Sequence, residues 1–201
     1  MAAARYNRAV IALVDNRDSF TFNLVQALQG LGAEVRVFDG RTARPEEVLD
    51  AAGVLVGPGP GTPDRAGCSE GVFLAAAAGG DPPPVLGVCL GHQALGSAFG
   101  ARIRRATELV HGAVRPVHHD GTGVLEGLPD PFPMARYNSL VVDEEGLPAE
   151  LTVTARTGDG DVAGLRHAEL PLFGLQGHPE SVLCAEGGGA VFRNFLERCR
   201  P

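Results

Sequence analysis

One short segment restricts the possible folds of this chain more than any other part of the sequence. Residues 85–93 read Val-Leu-Gly-Val-Cys-Leu-Gly-His-Gln, an apolar strand that runs into Gly-x-Cys-x-Gly and then into a helical pattern. The arrangement is typical of a strand–turn–helix nucleophile elbow with Cys89 at the turn. Small residues are required at Gly87 and Gly91, because a Cβ at either position clashes with neighbouring backbone.

A thiol at this turn is well placed for nucleophilic chemistry. The start of the following helix favours the thiolate form of Cys89 over the thiol. The N–H of Leu90 points to where the oxyanion of a tetrahedral intermediate forms. The segment alone leaves a second interpretation open, in which Cys89 is a buried small apolar residue and the glycines only serve packing.

Apolar runs alternate with helical patterns over the first half of the chain. Strands are predicted at residues 10–14, 35–38, 54–56 and 85–88, and helices at 20–31, 45–52, 68–78 and 93–99. The run at 10–14 is continuously apolar, which is typical of a strand covered on both faces. The alternation predicts an α/β fold with a central, largely parallel sheet flanked by helices.

Short β-like runs replace the helices after about residue 101. They lie at residues 114–117, 151–155, 162–165 and 172–176, and a last helix is predicted at 189–199. We interpret these runs as antiparallel additions that make the sheet a mixed one. Because no repeat or linker is visible, residues 1–201 are expected to form a single domain.

The composition argues against several classes of function. The net charge is −7, and all 17 basic residues are arginines scattered along the chain, so nucleic-acid binding is unsupported. No apolar run reaches the roughly 20 residues of a bilayer crossing, and the N-terminus is a poor signal peptide. We therefore expect a cytoplasmic protein without membrane contacts. The cysteines form no C-x-x-C pair, which disfavours a disulfide framework or a zinc site; they are Cys68, Cys89, Cys184 and Cys199.

A nucleophilic thiol needs a base that takes its proton and returns it to the leaving amine. Among the six histidines, His178 stands out because Glu180 follows it two positions later, just after the predicted strand at 172–176. In an extended segment such residues project the same way, so Glu180 is placed to orient the His178 ring. The spacing alone also fits a solvated turn.

The other histidines are weaker candidates for the base. His118 and His119 precede a turn signal and are predicted to lie in a loop, and His111 is expected to be structural. His167 is predicted on an edge strand. His92 belongs to the elbow segment, but its side chain is expected near the surface, without a role in proton transfer.

Five segments together resemble the class I glutamine amidotransferases, and among them most closely the small subunits of anthranilate synthase and aminodeoxychorismate synthase. They are residues 15–23, 58–63, 87–93, 136–140 and 176–181. The segments occur in the family's order and span nearly the whole chain. The resemblance implies the single-domain class I glutamine amidotransferase fold.

The resemblance also implies an activity and its residues. Cys89, His178 and Glu180 are the implied catalytic triad, which hydrolyses L-glutamine to glutamate and ammonia through a γ-glutamyl thioester. The implied oxyanion hole consists of the backbone N–H groups of Gly59 and Leu90. The implied substrate-binding residues are Gly59, Pro60, Gly61, Gln93, Ser139 and Leu140.

A partner protein is implied as well. Ammonia is expected to pass to a chorismate-binding synthase subunit, in the manner of anthranilate synthase component II. The alternatives are an aminodeoxychorismate synthase or a synthase that makes an aminated chorismate for a secondary metabolite. No metal or other cofactor is implied for this subunit, whereas the partner synthase is expected to use magnesium.

Three positions depart from the family's pattern. Asn138 stands where the family usually has His, Gly177 where it has Phe, and Ala113 where the anthranilate branch often has Lys. The loss of the Phe ring predicts a looser His178 or a roomier pocket. The first two departures keep open a catalytically weakened subunit that only binds or regulates a synthase. A free-standing cysteine hydrolase of the α/β-hydrolase type is disfavoured, because its histidine follows the carboxylate, whereas here Glu180 comes second.

Overall fold

The structure is a computed structural model that describes residues 10–184 and 187–199. The described strands are β1 (Val10–Asp15), β2 (Glu34–Asp39), β3 (Gly53–Val56), β4 (Val85–Val88), β5 (Ile103–Arg105), β6 (Ala113–His119), β7 (Phe132–Arg136), β8 (Leu140–Val142), β9 (Leu151–Thr157), β10 (Val162–His167) and β11 (Leu172–Leu175). The helices are α1 (Thr21–Gly30), α2 (Pro45–Leu49), α3 (Ser69–Ala78), α4 (Leu90–Ala98) and α5 (Gly188–Arg198). Three short 3-10 turns lie at Pro63–Arg65, Gly123–Leu125 and Val182–Cys184.

Nine of these strands form one mixed sheet in the order β2-β1-β3-β4-β11-β10-β9-β6-β7. The pairs from β2 to β11 are parallel, and the pairs from β11 to β7 are antiparallel. β5 and β8 pair with each other in a separate small antiparallel sheet. The predicted α/β fold with a mixed central sheet is confirmed.

The parallel half of the sheet is buried on both faces. Ile11 and Leu13 of β1 belong to the core cluster that includes residues of α1 and α5. Ala12 and Val14 belong to the cluster on the opposite face, which includes residues of α2, α3 and α4. Because both faces are covered, every position along such a strand is apolar, which explains the continuous run in the sequence. Because β1 to β4 are parallel, their carboxyl ends lie together at one edge of the sheet, and the helices on the two faces leave that edge open.

Strand β11 joins the two halves of the sheet. The prediction that it is an antiparallel addition is wrong on one side, because it pairs in parallel with β4 and antiparallel with β10. Leu175 of β11 is in register with Val88 of β4. The residues that follow these two strands therefore begin side by side.

The strands β5, β7 and β8 are not predicted by the sequence pattern. β5 and β8 have only three residues each. β7 contains Pro133, which pairs in register with Pro116 of β6. Proline lacks the N–H that a ladder needs and usually signals a loop, but β7 tolerates it because it lies at the edge of the sheet.

Three histidines lie elsewhere than predicted. His118 and His119 are the last residues of β6 and not loop residues. His167 ends β10, which lies inside the sheet and not at its edge, and its side chain is buried. None of the helices within residues 10–184 and 187–199 combines the length and the apolar character needed to cross a membrane.

Candidate active site

The turn at Cys89 depends on the two glycines that flank it. Cys89 has φ 55° and ψ −101° at the junction of β4 and α4, a conformation that costs a non-glycine residue about 1–3 kcal/mol. A Cβ on Gly87 would overlap the carbonyl group of Gly91, and a Cβ on Gly91 would overlap the carbonyl oxygen of Val56. The predicted need for small residues at both positions is confirmed.

The elbow places the Cys89 thiol at the beginning of α4. The N–H of Cys89 donates to the Leu175 carbonyl of β11 (2.8 Å), and its own carbonyl accepts the N–H of Gln93 (3.1 Å). Leu90 is the first residue of the helix, so its N–H has no acceptor within the helix and points away from the following turns. The thiol thus lies at the positive end of a helix dipole, beside a backbone donor that the helix does not use.

His178 and Glu180 form a buried hydrogen-bonded pair just after β11. His178 Nδ1 and Glu180 Oε1 are 2.7 Å apart, and the two residues are 2% and 9% exposed. The His178 N–H donates to the Ala135 carbonyl of β7 (2.9 Å). The segment is a turn, in which the Ser181 N–H donates to the His178 carbonyl (3.1 Å), but the turn is buried and not solvated. The expected meeting of the His178 and Glu180 side chains is confirmed, whereas the extended backbone on which it was based is wrong.

Two aromatic rings hold the His178 imidazole in place. The ring centroids of Phe20 and His178 are 5.1 Å apart, as are those of Tyr137 and His178, the latter pair nearly perpendicular at 81°. Phe20 and Tyr137 also contact each other, with centroids 4.9 Å apart. These are favourable separations for aromatic contacts, so the imidazole is fixed both by Glu180 and by packing.

The thiol and the imidazole reach each other because β4 and β11 are neighbours. Burial lowers the pKa of His178, but its contacts with Cys89 and Glu180 outweigh burial and raise the pKa to about 10. At neutral pH the ring is therefore an imidazolium, which stabilises a thiolate beside it. Among the described residues Nε2 has no hydrogen-bond partner of normal geometry, so this nitrogen is available for proton exchange with the sulfur.

A cleft next to Cys89 contains all the residues that the resemblance implies for substrate binding. They are Gly59, Pro60, Gly61, Gln93, Ser139 and Leu140. Leu90 lines the cleft as well, whereas His178 and Glu180 are buried and do not line it. Tyr137 and Asn138 also line it and are not among the predicted binding residues.

The loop after β3 is tied to the loop after β1 by Asn16. Asn16 Nδ2 donates to the Gly57 carbonyl (3.0 Å), and its Oδ1 accepts from Ser69 Oγ (3.0 Å). A Cβ on Gly59 would lie 2.7 Å from Leu90 Cδ2 and 2.5 Å from the Asn16 Cβ. Only glycine therefore lets this loop approach the elbow, and the two predicted oxyanion donors belong to neighbouring segments.

Gln176 connects the thiol with the cleft, although it is not among the predicted site residues. Its Nε2 lies 3.7 Å from Cys89 Sγ, and its Oε1 accepts a hydrogen bond from Gln93 Nε2 (3.1 Å). Phe20, Tyr137 and Asn138 are also outside the predicted set, although the two rings pack on His178 and Tyr137 and Asn138 line the cleft. The available signal for all four was their place within the segments that carry the family resemblance.

His92 lies deep in the structure, and the prediction of a side chain near the surface is wrong. It is 0% exposed, and burial lowers its pKa to about 4, so the ring is neutral. A Cβ on Gly174 of β11 would lie 2.8 Å from His92 Nδ1. The helix α4 therefore packs on the sheet through this glycine, and this contact turns His92 inward.

The predicted spare room beside Gly177 is also absent. The Met134 side chain of β7 occupies the position that a Cβ on Gly177 would take, and the Ala135 carbonyl oxygen would lie 2.9 Å from that Cβ. Met134 and His178 are both buried. The space of the missing aromatic ring is thus partly filled by a methionine from β7, the strand whose Ala135 carbonyl also accepts the backbone N–H of His178.

The four cysteines are free thiols. Within the described ranges no group of three or more His, Cys, Asp or Glu side chains is placed to hold a metal ion. The expectation that this subunit needs no cofactor remains a prediction.

Replacement of Gly177 by alanine is expected to destabilise the protein by about 1–3 kcal/mol, because the new methyl group overlaps Met134. In the double variant with Met134→Ala the losses should be smaller than the sum of the single ones by at least about 0.5 kcal/mol. Urea unfolding measures each free energy. Gly158→Ala, where no atom lies within 4 Å of the new Cβ, is the control. Additive losses would show that the two side chains do not share this space.

The raised pKa of His178 should depend on the thiol. In Cys89→Ser the hydroxyl stays neutral, so we expect the pKa of His178 to fall from about 10 toward its ordinary range. A histidine-ring NMR titration of both proteins measures the shift, with the His178 signal assigned by its loss in His178→Gln. An unchanged pKa would mean that Glu180 alone holds the proton on the ring.

Comparison with known proteins gives the chain a family. Residues 12–198 match the family described as glutamine amidotransferase class-I. The anthranilate synthase component 2 of Mycobacterium tuberculosis is 50% identical over 193 residues, which cover 94% of this chain and 82% of that protein. The aminodeoxychorismate synthase component 2 of Escherichia coli is 44% identical over 191 residues, which cover 94% of this chain and 100% of that protein.

A Bacillus subtilis relative bears both names, as aminodeoxychorismate/anthranilate synthase component 2, and is 42% identical over 193 residues, 95% of this chain and 97% of its own. Among solved structures, a protein from Thermoplasma acidophilum described as part of a GMP synthase superposes with a TM-score of 0.83. It covers 97% of this chain and 96% of its own at 23% identity, a likeness of fold. With its elbow, its fold and these relatives, the chain belongs to the class I glutamine amidotransferase family.

Proposed function

We propose that this chain is the glutamine-hydrolysing component of a chorismate-utilising synthase. The observation that carries the proposal is the thiol of Cys89 at the start of α4, placed beside the end of β11, where the buried His178–Glu180 pair follows. A nucleophile at a helix N-terminus, a base beside it and a carboxylate behind the base are the parts that cysteine amidohydrolysis needs. The names of these relatives, each component 2 of a synthase, support the proposal.

The proposed reaction begins with attack of the Cys89 thiolate on the side-chain carbonyl carbon of glutamine. The N–H groups of Leu90 and Gly59 stabilise the oxyanion of the tetrahedral intermediate. His178 donates its Nε2 proton to the leaving amine, ammonia departs, and a γ-glutamyl thioester remains. His178 then takes a proton from water, which hydrolyses the thioester to glutamate and restores the thiolate. Throughout, Glu180 keeps the His178 Nδ1 protonated and oriented.

We propose that the cleft residues bind the rest of the glutamine molecule. Gly59, Pro60 and Gly61 after β3, Ser139 and Leu140 at the start of β8, and Gln93 of α4 all line the cleft. Backbone groups of the glycine-rich loop suit the charged α-amino and α-carboxylate groups, because glycine leaves its N–H and C=O groups exposed.

Ammonia is proposed to pass to a chorismate-binding synthase subunit. Two large apolar side chains are exposed close in sequence to residues of the site. Phe22, which is 65% exposed, comes two positions after Phe20, which packs on His178; Val182, which is 85% exposed, comes two positions after Glu180. Exposed apolar surface is typical of a protein interface. We propose that the partner covers Phe22 and Val182 and that magnesium, if the synthase uses it, is bound in the partner.

The aminated product is the open part of the proposal. Relatives named for anthranilate synthase and for aminodeoxychorismate synthase match this chain at 50% and 44% identity. We propose the anthranilate type first, with aminodeoxychorismate or a secondary metabolite as the alternatives. A chain that only binds a synthase is less well supported, since Met134 fills the space beside Gly177 and the His178–Glu180 pair is formed.

Two broader properties are proposed with this function. The family match covers residues 12–198, which supports one amidotransferase domain over the whole chain. The four cysteines are free thiols, the state that reducing compartments maintain, which supports a cytoplasmic location.

Replacement of Cys89 by alanine should abolish glutamine-dependent synthesis by the complex, at least about a thousandfold. Synthesis from added ammonium salt should persist, because the partner then needs no glutaminase. The measurement is glutamate release and aminated product from the chain mixed with a chorismate-binding synthase subunit, with glutamine or ammonia as nitrogen donor. His178→Ala should give the same pattern while partner binding is retained.

The matched control is Cys68→Ala, which removes a buried thiol at the start of α3. It should keep both activities. Loss of the ammonia-dependent activity in Cys89→Ala would contradict the division of labour between the subunits. Absence of glutamate release by the wild-type chain in every combination would leave the binding subunit as the better description.

A further inference from the structure

Asn138 is held in one orientation by two partners of opposite kind. It is 4% exposed; its Oδ1 accepts from Arg136 Nε (3.2 Å), and its Nδ2 donates to the Leu140 carbonyl (3.0 Å). A guanidinium can only donate and a carbonyl can only accept, so these contacts assign the amide oxygen and nitrogen without ambiguity. Asn138 therefore cannot flip its amide without losing both bonds.

Arg136 is itself a fixed, buried cation. The residue is 1% exposed, and its Nη1 and Nη2 have no hydrogen-bond partner among the described residues, although Asp159 lies at 3.7 Å and Asp161 at 4.0 Å. Asp161 is anchored in turn by the N–H of Thr107 (2.8 Å). The Arg136 guanidinium is therefore fixed by burial, and the hydrogen bond that it donates to Asn138 is fixed with it.

The carbonyl of Leu140 receives two hydrogen bonds from within the protein. One comes from Asn138 Nδ2, and the other comes from Gln93 Nε2 (3.0 Å). A carbonyl oxygen has two lone pairs, so this one is fully used and is not free for a bound amino acid. The Ser139 carbonyl also accepts the Ala106 N–H (2.9 Å). Hydrogen bonds to the Ser139 and Leu140 carbonyls therefore hold this side of the cleft in place.

We infer that Asn138 is a positioning residue for substrate binding, which rests on the proposed function and deepens it. By fixing the Leu140 carbonyl, Asn138 sets the direction of the Ser139–Leu140 backbone and of the Gln93 side chain that shares the same acceptor. It acts on the binding of the α-amino and α-carboxylate groups of glutamine, whereas the proton transfers at the thiol depend on His178. Because Arg136 is itself held near Asp159 and Asp161, its hydrogen bond keeps Asn138 in place beside the Ser139–Leu140 segment.

The test is Asn138→Asp, which keeps the shape and the Arg136 contact but replaces the donor by a carboxylate oxygen that repels the Leu140 carbonyl. Labelling of Cys89 by a glutamine-shaped chloroketone should slow about tenfold, the effect of losing about one hydrogen bond. Labelling by iodoacetamide, which needs no backbone recognition, should change less than about twofold. In the partnered enzyme the KM for glutamine should rise about tenfold, with kcat nearly unchanged.

Asn194→Asp is the matched control. Asn194, like Asn138, donates its amide N–H to backbone carbonyls, those of Val124 (3.1 Å) and Glu126 (2.8 Å), but it lies on α5 and not in the cleft. It should leave both labelling rates unchanged. If Asn138→Asp does not fold, as thermal unfolding will reveal, Asn138→Ala adds no charge and should give the same selective loss.

Three outcomes decide the inference. Selective slowing of the chloroketone by the Asn138 variants, and not by Asn194→Asp, supports it. Equal slowing of both reagents, or slowing of neither, overturns it while leaving the proposed function intact. If the wild-type chain itself shows no preference for the glutamine-shaped reagent, the proposed function fails and the inference falls with it.

Discussion

The backbone conformation of Cys89 is the constraint around which the neighbouring elements are arranged. A non-glycine residue with φ of 55° persists only where its surroundings over-determine it. Here the surroundings are close backbone approaches, Gly87 against Gly91 and Gly91 against Val56. They draw α4 onto β3 and β4, and the same close packing buries His92 against Gly174. The energy stored in the turn is thus offset by a well-packed helix–sheet interface.

The second requirement is that a base from the other half of the chain reaches this thiol. One parallel pairing, that of β11 with β4, meets this requirement. It places Gln176, the residue after β11, beside Cys89, the residue after β4. Two residues later His178 is enclosed by Glu180, Phe20 and Tyr137. A buried charge is tolerated only with partners, and the imidazolium has a carboxylate on one side and the sulfur on the other. Electrostatics and packing therefore specify the same ring position.

The sequence predicts those parts of the molecule that depend on local pattern. The elbow and the four parallel strands can each be recognised from a few consecutive residues. The spacing of His178 and Glu180 also fits a solvated turn, so the pair is predicted only with the help of the family resemblance. Pairing partners are non-local, so the parallel neighbour of β11 was not predictable from residues 172–176. His92 was misassigned because a tertiary contact with Gly174, and not helix periodicity, decides which way it faces. The same holds for Gln176, whose hydrogen-bond partners are more than 80 positions away in the sequence. Asn138 bonds only to Arg136 and Leu140, and it is the distant Gln93, bonded to the same Leu140 carbonyl, that links it to the rest of the site.

The pairing of Gly177 with Met134 has a consequence for how this site changes during evolution. The two residues lie on different segments but fill one volume, so neither position drifts independently of the other. A large ring at position 177 is excluded while Met134 remains, since the Ala135 backbone as well as the Met134 side chain would be displaced. A ring at position 177 therefore requires that Met134 is first replaced by a smaller residue. The cavity that this replacement leaves lowers the free energy of unfolding by about 2–5 kcal/mol. Only proteins stable enough to tolerate this loss can therefore change from the methionine packing to the aromatic one.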